Sequence, residues 1–116
     1  LPTAQLDRVR MRLLLRNLLD NALRHGADAP QSPELHVQRG AGALHFVVRD
    51  HGPGVPEDRI AQLGQPFYRP DSARTRDAGG VGLGLYLCRL VAQAHGGRCD
   101  IRNAHPGLEV SVTLPT

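Results

Sequence analysis

Hydrophobic residues recur along the first part of the chain with the period of a helix. Between Gln5 and Arg24, the residues Met11, Leu14, Leu15, Leu18, Leu19 and Ala22 fall on one face. His25-Gly26 ends the run, and "GADAPQSP" reads as a loop. The pattern then switches to alternation. "ELHVQRG" (34–40) and "ALHFVVRD" (43–50), joined at Gly40-Ala41-Gly42, predict a β-hairpin. "HGPGVP" is a turn, and Pro56 to Leu63 a short helix. "QPFYRPDSARTRDAGG" (65–80) follows neither period and carries almost no apolar anchor, which predicts a long loop. A second long helix runs from Val81 or Gly82 to His95 and is closed by Gly96-Gly97. "RCDIRNA" (98–104) and "LEVSVTLP" (108–115) make a final hairpin about His105-Pro106-Gly107. Two hairpins and three helices predict the α/β (α+β) class, as a two-layer sandwich with the helices on one face of an antiparallel-rich sheet.

The 116 residues suit a single domain, 1–116, without internal repeats, and 41% hydrophobic residues suit a globular one. The net charge is +3, and all 14 basic residues are arginines. Arginine favours planar recognition of phosphate, but an arginine-only set equally fits GC-rich coding. With 3% aromatics and no continuous basic run, the stacking platform of a nucleic-acid binder is missing. No apolar run has the length of a membrane span, so direct membrane contact is not expected. Cys88 and Cys99 lie in different elements and form no CxxC pair, which argues against a disulfide or a metal site. The chain reads as cytoplasmic. It begins at Leu1 rather than Met, so it is expected to be a piece of something larger.

Three stretches change this picture. In "RNLLDNALRHG", Asn17, Asn21 and Arg24 stand at i, i+4 and i+7 with Asp20 beside them, a polar stripe adjoining the leucine face. Asparagine is a poor helix former, so two on one face carry a cost. They are either a solvated face or a row of amides turned toward a ligand. In "VVRDHGPGVP", Asp50 ends an apolar strand and Gly52 and Gly54 follow. That is either an ordinary turn or a carboxylate fixed at a strand end, with glycines admitting a flat ligand. In "GGVGLGLYLCRL", four glycines fall within six residues at the entrance of a helix. A P-loop would need Lys-Ser/Thr where Leu85-Tyr86 stand, and a dinucleotide fingerprint would need a strand directly before the glycines. Neither fits. The glycines leave backbone N–H groups free for an anion at a helix N-terminus, or they serve packing alone.

Taken in order, "NLLDNALRHG", "DHGPG", "PFYRPD" and "GVGLGL" resemble the N, G1, F and G2 boxes of the sensor histidine kinases, over nearly the whole chain from Leu14 to Leu114. The resemblance implies the ATP-binding catalytic domain of a two-component kinase. Its fold would be the Bergerat sandwich with a mixed, mostly antiparallel sheet, shared with type II topoisomerases, mismatch-repair ATPases and heat-shock chaperones. ATP and Mg²⁺ are the implied ligands. On this resemblance Asn21 ligates Mg²⁺, completing a shell of phosphate oxygens and water. Asp50 accepts from the adenine amino group, and Gly52 and Gly54 bring backbone to the ring. Arg24, where the family usually carries Lys, contacts phosphate. His25, often Tyr in the family, packs beside the nucleotide, and Phe67 of the F box is a further nucleotide-binding residue. Arg69 reaches the γ-phosphate. Gly80, Gly82 and Gly84, with Leu83 and Leu85, form the hinge and helix start that meet the phosphates. Asn17 faces the phosphates one turn before Asn21, as a catalytic group that is no general base.

The family's phosphoacceptor is a His followed by Glu or Asp. Here the histidines are followed by Gly (His25, His51, His95), Val (His36), Phe (His45) and Pro (His105). The acceptor, the dimerisation helices of a homodimer and the sensor are therefore expected upstream of Leu1. The full-length protein would be anchored in the inner membrane and would pass phosphate to a response regulator. The segment before the N box is expected to be truncated, and the stretch from Arg69 to Gly79 to be the least ordered without nucleotide. Two rivals remain. One is an ATPase of the same superfamily, which would carry Glu at position 17. The other is a docking module without catalysis.

Overall fold

The computed structural model describes residues 6–65 and 84–115. Asp7 opens helix α1 (Arg8–His25), its Oδ1 accepting from the Arg10 N–H at 3.0 Å. A side-chain acceptor there satisfies one of the donors that a helix start leaves free. Met11, Leu14, Leu18 and Ala22 are buried along one stripe. Leu19, expected on the same face, is 37% exposed, and Leu15 is half-buried. Since α1 packs on the second helix as well as on the sheet, its buried face is rotated toward Leu14 and leaves Leu19 at the rim.

The strands are β1 (Glu34–Gly40), β2 (Ala43–Arg49), β3 (Arg98–Asn103) and β4 (Leu108–Pro115). They form one sheet in the order β1-β2-β4-β3, and all three pairings are antiparallel. Successive side chains of a strand point to opposite faces. On the inner face Leu108, Val110, Val112 and Leu114 of β4 are all buried, as are Phe46 and Val48 of β2. They meet Leu85, Cys88, Val91 and Ala92 of α2 (Gly84–Ala94) in one core. The short helix expected over 56–63 is a 3-10 segment, Glu57–Gln62, which packs on β3. The two-layer arrangement is thus the expected one.

β1 is the strand that its alternation predicts, and every residue of it is exposed, Leu35 by 43% and Val37 by 55%. It is an edge strand, and the helices pack on β2, β3 and β4. The outer face is polar, with His45 against its register partner Thr113 at 3.2 Å and Arg102 paired with its partner Glu109. His95 joins the two helices. Its Nδ1 donates to the Val91 carbonyl at 2.9 Å and its Nε2 accepts from the Asp7 N–H at 3.1 Å, so a single neutral tautomer serves both. Both cysteines are free, and burial pushes both thiols up, Cys99 to about 11. Neither is poised as a thiolate. Among the described residues no helix is long and apolar enough to cross a membrane. The loop expected over 65–80 and the first turn expected for α2 lie outside the described residues, apart from Gln65.

Candidate functional site

β2 ends at Arg49, but the ladder continues one residue further, with the Asp50 N–H donating to the Leu108 carbonyl at 3.0 Å. This carries Asp50 into the interior, where it is 1% exposed. Burying a carboxyl costs several kcal/mol unless its oxygens are hydrogen-bonded. Here Oδ1 accepts from the N–H groups of Gly52 at 2.9 Å and Leu108 at 3.3 Å. The carboxyl is therefore aimed by backbone on two sides.

The glycines of "DHGPG" have a structural reason for their positions. A Cβ on Gly52 would stand 1.9 Å from the His25 carbonyl oxygen, so the turn lies directly on the end of α1. Gly54 has φ +71°, and a Cβ there would lie 2.5 Å from Asn103 Oδ1. Each glycine thus has a packing reason for its place in the turn. Across the turn, Arg49 Nη2 donates to the carbonyls of Ala104 and Pro106, each at 3.3 Å, which holds the β3–β4 loop in place. His51 Nε2 lies 2.8 Å from Glu34 Oε2, and this hydrogen bond holds the Glu34 carboxyl below the usual range.

Along α1 the polar stripe runs toward this turn. Asn17 Nδ2 donates to the Leu13 carbonyl at 2.8 Å, and its Oδ1 lies 3.4 Å from where a Cβ of Gly84 would stand. Asn21 and His25 follow at one-turn steps, both half-buried, while Arg24 is exposed. Leu85 is packed in the core. The structure thus brings Asn17 to the start of α2 and His25 to Asp50 and Gly52, with Asn21 between them. Phe67, Arg69, Gly80, Gly82 and Leu83 lie outside the described residues. Asn103 and Gly107 were missed from sequence. The only signals were an Asn at a strand end and a Gly closing a turn.

Burial lowers the pKa of His25 from its ordinary 6.5, against the opposing pull of the Asp50 charge. The unfolded chain therefore binds a proton at this site at a higher pH than the folded one. His25 favours folding above about 6.5, and that contribution is lost as the pH falls below it. His25→Gln should accordingly flatten the fall in melting temperature between about pH 7 and about pH 5. An unchanged slope would mean that the ring is not desolvated beside Asp50.

The profile of the histidine kinase-, DNA gyrase B- and HSP90-like ATPases matches residues 6–116. The chain belongs to this family. It is 38% identical over 107 residues to the alginate biosynthesis sensor protein KinB of Pseudomonas aeruginosa, which covers 92% of this chain and 17% of that protein. It is 42% identical over 95 residues to the sensor protein QseC of Escherichia coli, covering 82% of this chain and 19% of that protein. Among solved structures, full-length ShkA in complex with AMPPNP superposes with a TM-score of 0.82 at 28% identity, over 99% of this chain and 23% of that one. The nucleotide-free catalytic domain of the histidine kinase ThkA superposes with a TM-score of 0.79 at 25% identity, over 95% of this chain and 69% of that one. The chain spans roughly a fifth of the length of these curated relatives. The four boxes read from the sequence thus point to the right family, and the sandwich is the one these neighbours have: a catalytic domain of the sensor histidine kinase kind.

Proposed function

We propose that the chain binds Mg²⁺-ATP and transfers the γ-phosphoryl group to a histidine on a separate dimerisation domain, as part of a two-component sensor kinase. The observation that carries this reading is the buried Asp50 carboxyl, held through Oδ1 by Gly52 and Leu108 at the end of the Asn17–Asn21–His25 stripe. In this reading Oδ2 accepts from the adenine amino group and His25 lies against the base. Among the described residues no cluster of three His, Cys, Asp or Glu side chains offers a metal cage. A neutral amide oxygen such as that of half-buried Asn21 fits a hard cation already coordinated by phosphates. Bound Mg²⁺ would neutralise charge on the phosphates. Arg24 is exposed and would contact a phosphate, and Gly84, Leu85, Arg69, Phe67, Gly80, Gly82 and Leu83 take the roles that the F and G2 boxes give them.

Asn17 supports transfer over hydrolysis. An amide has no lone pair basic enough to take a proton from water near neutral pH, and its N–H already donates to Leu13. Nucleotide would then stay intact until an acceptor histidine arrives. The implied partners are an upstream dimerisation domain and, through it, a response regulator, in a cytoplasmic part of a membrane-anchored homodimer. The test is a radiolabelled-ATP assay with the chain alone and with the acceptor domain added. The chain alone should bind ATP, release almost no phosphate and stay unlabelled, and the acceptor should gain acid-labile phosphate. Rapid phosphate release by the chain alone would favour the ATPase, and binding without transfer to a folded acceptor would favour the docking module.

A further inference from the structure

We propose that Asn103 is a positioning residue: it braces the turn that aims Asp50, and through it sets how strictly the site selects adenine. Asn103 is the last residue of β3. Its Oδ1 accepts from the Val55 N–H at 3.0 Å, and its Nδ2 donates to the Val55 carbonyl at 2.6 Å. The side-chain amide so replaces a neighbouring strand, meeting both backbone groups of one residue. Only a side chain with a donor and an acceptor in one plane can do this. Val55 is buried, 8% exposed, so its backbone groups call for protein partners. Nδ2 also donates to Glu57 Oε1 at 3.0 Å, tying in the 3-10 segment.

The other end of the same connection reaches the carboxyl. The register partner of Asn103 is Leu108, whose N–H donates to Asp50 Oδ1. Residues 50–55 are thus held at both ends by one residue pair at the head of the β3–β4 hairpin. Gly54 comes so close to Asn103 that a Cβ would lie 2.5 Å from Oδ1, so the turn is seated on this side chain and not merely near it. Loosening the far end lets the Gly52 N–H drift from Oδ1. The carboxyl then loses its fixed angle, while the phosphate-facing part of α1 is untouched. The expected loss is one of base discrimination, not of nucleotide binding as a whole.

This inference rests on the reading that Asp50 meets the adenine amino group, and the test separates the two. Asn103→Asp has the same shape, keeps the acceptor for the Val55 N–H, and sets an oxygen against the Val55 carbonyl and Glu57. Affinities for ATP and for inosine triphosphate, whose base carries an oxygen in place of the amino group, are measured on the chain alongside melting. Asn103→Asp should cut the ATP preference about tenfold and speed hydrogen exchange at the Gly52 N–H. General destabilisation would weaken both nucleotides alike and leave the ratio unchanged. If Asn103→Asp keeps the full preference while Asp50→Asn loses it, the brace is overturned and the adenine reading stands. If Asp50→Asn keeps it too, the reading falls and the brace with it. Should Asn103→Asp fail to fold, Asn103→Ser is measured instead; its uncharged hydroxyl serves one Val55 group at a time, and an unaltered ratio in that variant overturns the proposal.

Discussion

Gly107→Ala is expected to lower the melting temperature by roughly 12 °C, or to prevent folding at ambient temperature. Two costs coincide at this position. Gly107 has φ +87°, a region that charges an L-residue about 1–2 kcal/mol. A Cβ there would also stand 1.8 Å from the Asp50 carbonyl oxygen and 2.8 Å from Asp50 Oδ1. Neither atom can retreat freely, since the Asp50 N–H and side chain are both bonded to Leu108. Overpacking of this kind costs about 1–3 kcal/mol. The sum, about 3 kcal/mol, is a large share of the roughly 5–15 kcal/mol that holds a domain together. Gly40→Ala is the matching control, because nothing lies within 4 Å of its Cβ position. It should melt within about 2 °C of the parent. Circular-dichroism melting curves decide the matter, and equal midpoints for the two variants would refute the close approach of the hairpin to Asp50.

Asp50→Asn should reduce ATP affinity by about tenfold to a hundredfold while changing the melting temperature by no more than about 5 °C. An asparagine keeps an oxygen where Oδ1 accepts from Gly52 and Leu108, so the turn retains its supports. The second oxygen becomes an NH₂ group, and on the proposed reading it then faces the adenine amino group, donor against donor. Leaving such groups unpaired costs about 1–3 kcal/mol. The parent chain should likewise prefer ATP over GTP, whose base presents an oxygen at that place. Competition against a fluorescent ATP analogue measures all of these affinities. Unaltered ATP binding by Asp50→Asn would remove Asp50 from the base-recognition role.

The order and type of the elements were legible because each segment's period agrees with its place in the fold. β4 alternates without a fault, and all four inward residues are buried. The start of α1 needed a cap rather than a period, and Asp7 supplies it one residue before Arg8. β1 is also the strand expected, but its exposure was not legible, because alternation reports which side chains share a face, not whether anything covers that face. Leu35 and Val37 share one and remain exposed. In the site, Asp50 and the α1 stripe could be picked out as unusual residue types in unusual places. The reason for Gly52 and Gly54 could not, since it lies in contacts with His25 and Asn103, 27 and 49 residues away in the chain. Asn103 was invisible for the same cause. A lone polar residue at a strand end looks ordinary until the residue it supports is seen.

A polypeptide emerging from the ribosome presents β1, β2 and β3 before β4, yet β4 lies between β2 and β3 in the sheet. Translation at about 5–20 residues per second puts roughly 3–12 s between Val48 and Leu108. For that interval Phe46 and Val48 lack the strand that covers their flank, and the α1 stripe lacks the part of the core that β4 supplies. Pairing over such a separation must also overcome loop closure before any contact rewards it. A nascent chain stalled short of Leu108 is therefore a helix pair, one hairpin and a lone strand with an open apolar face, which is the kind of species that chaperones bind and that aggregates when they are scarce.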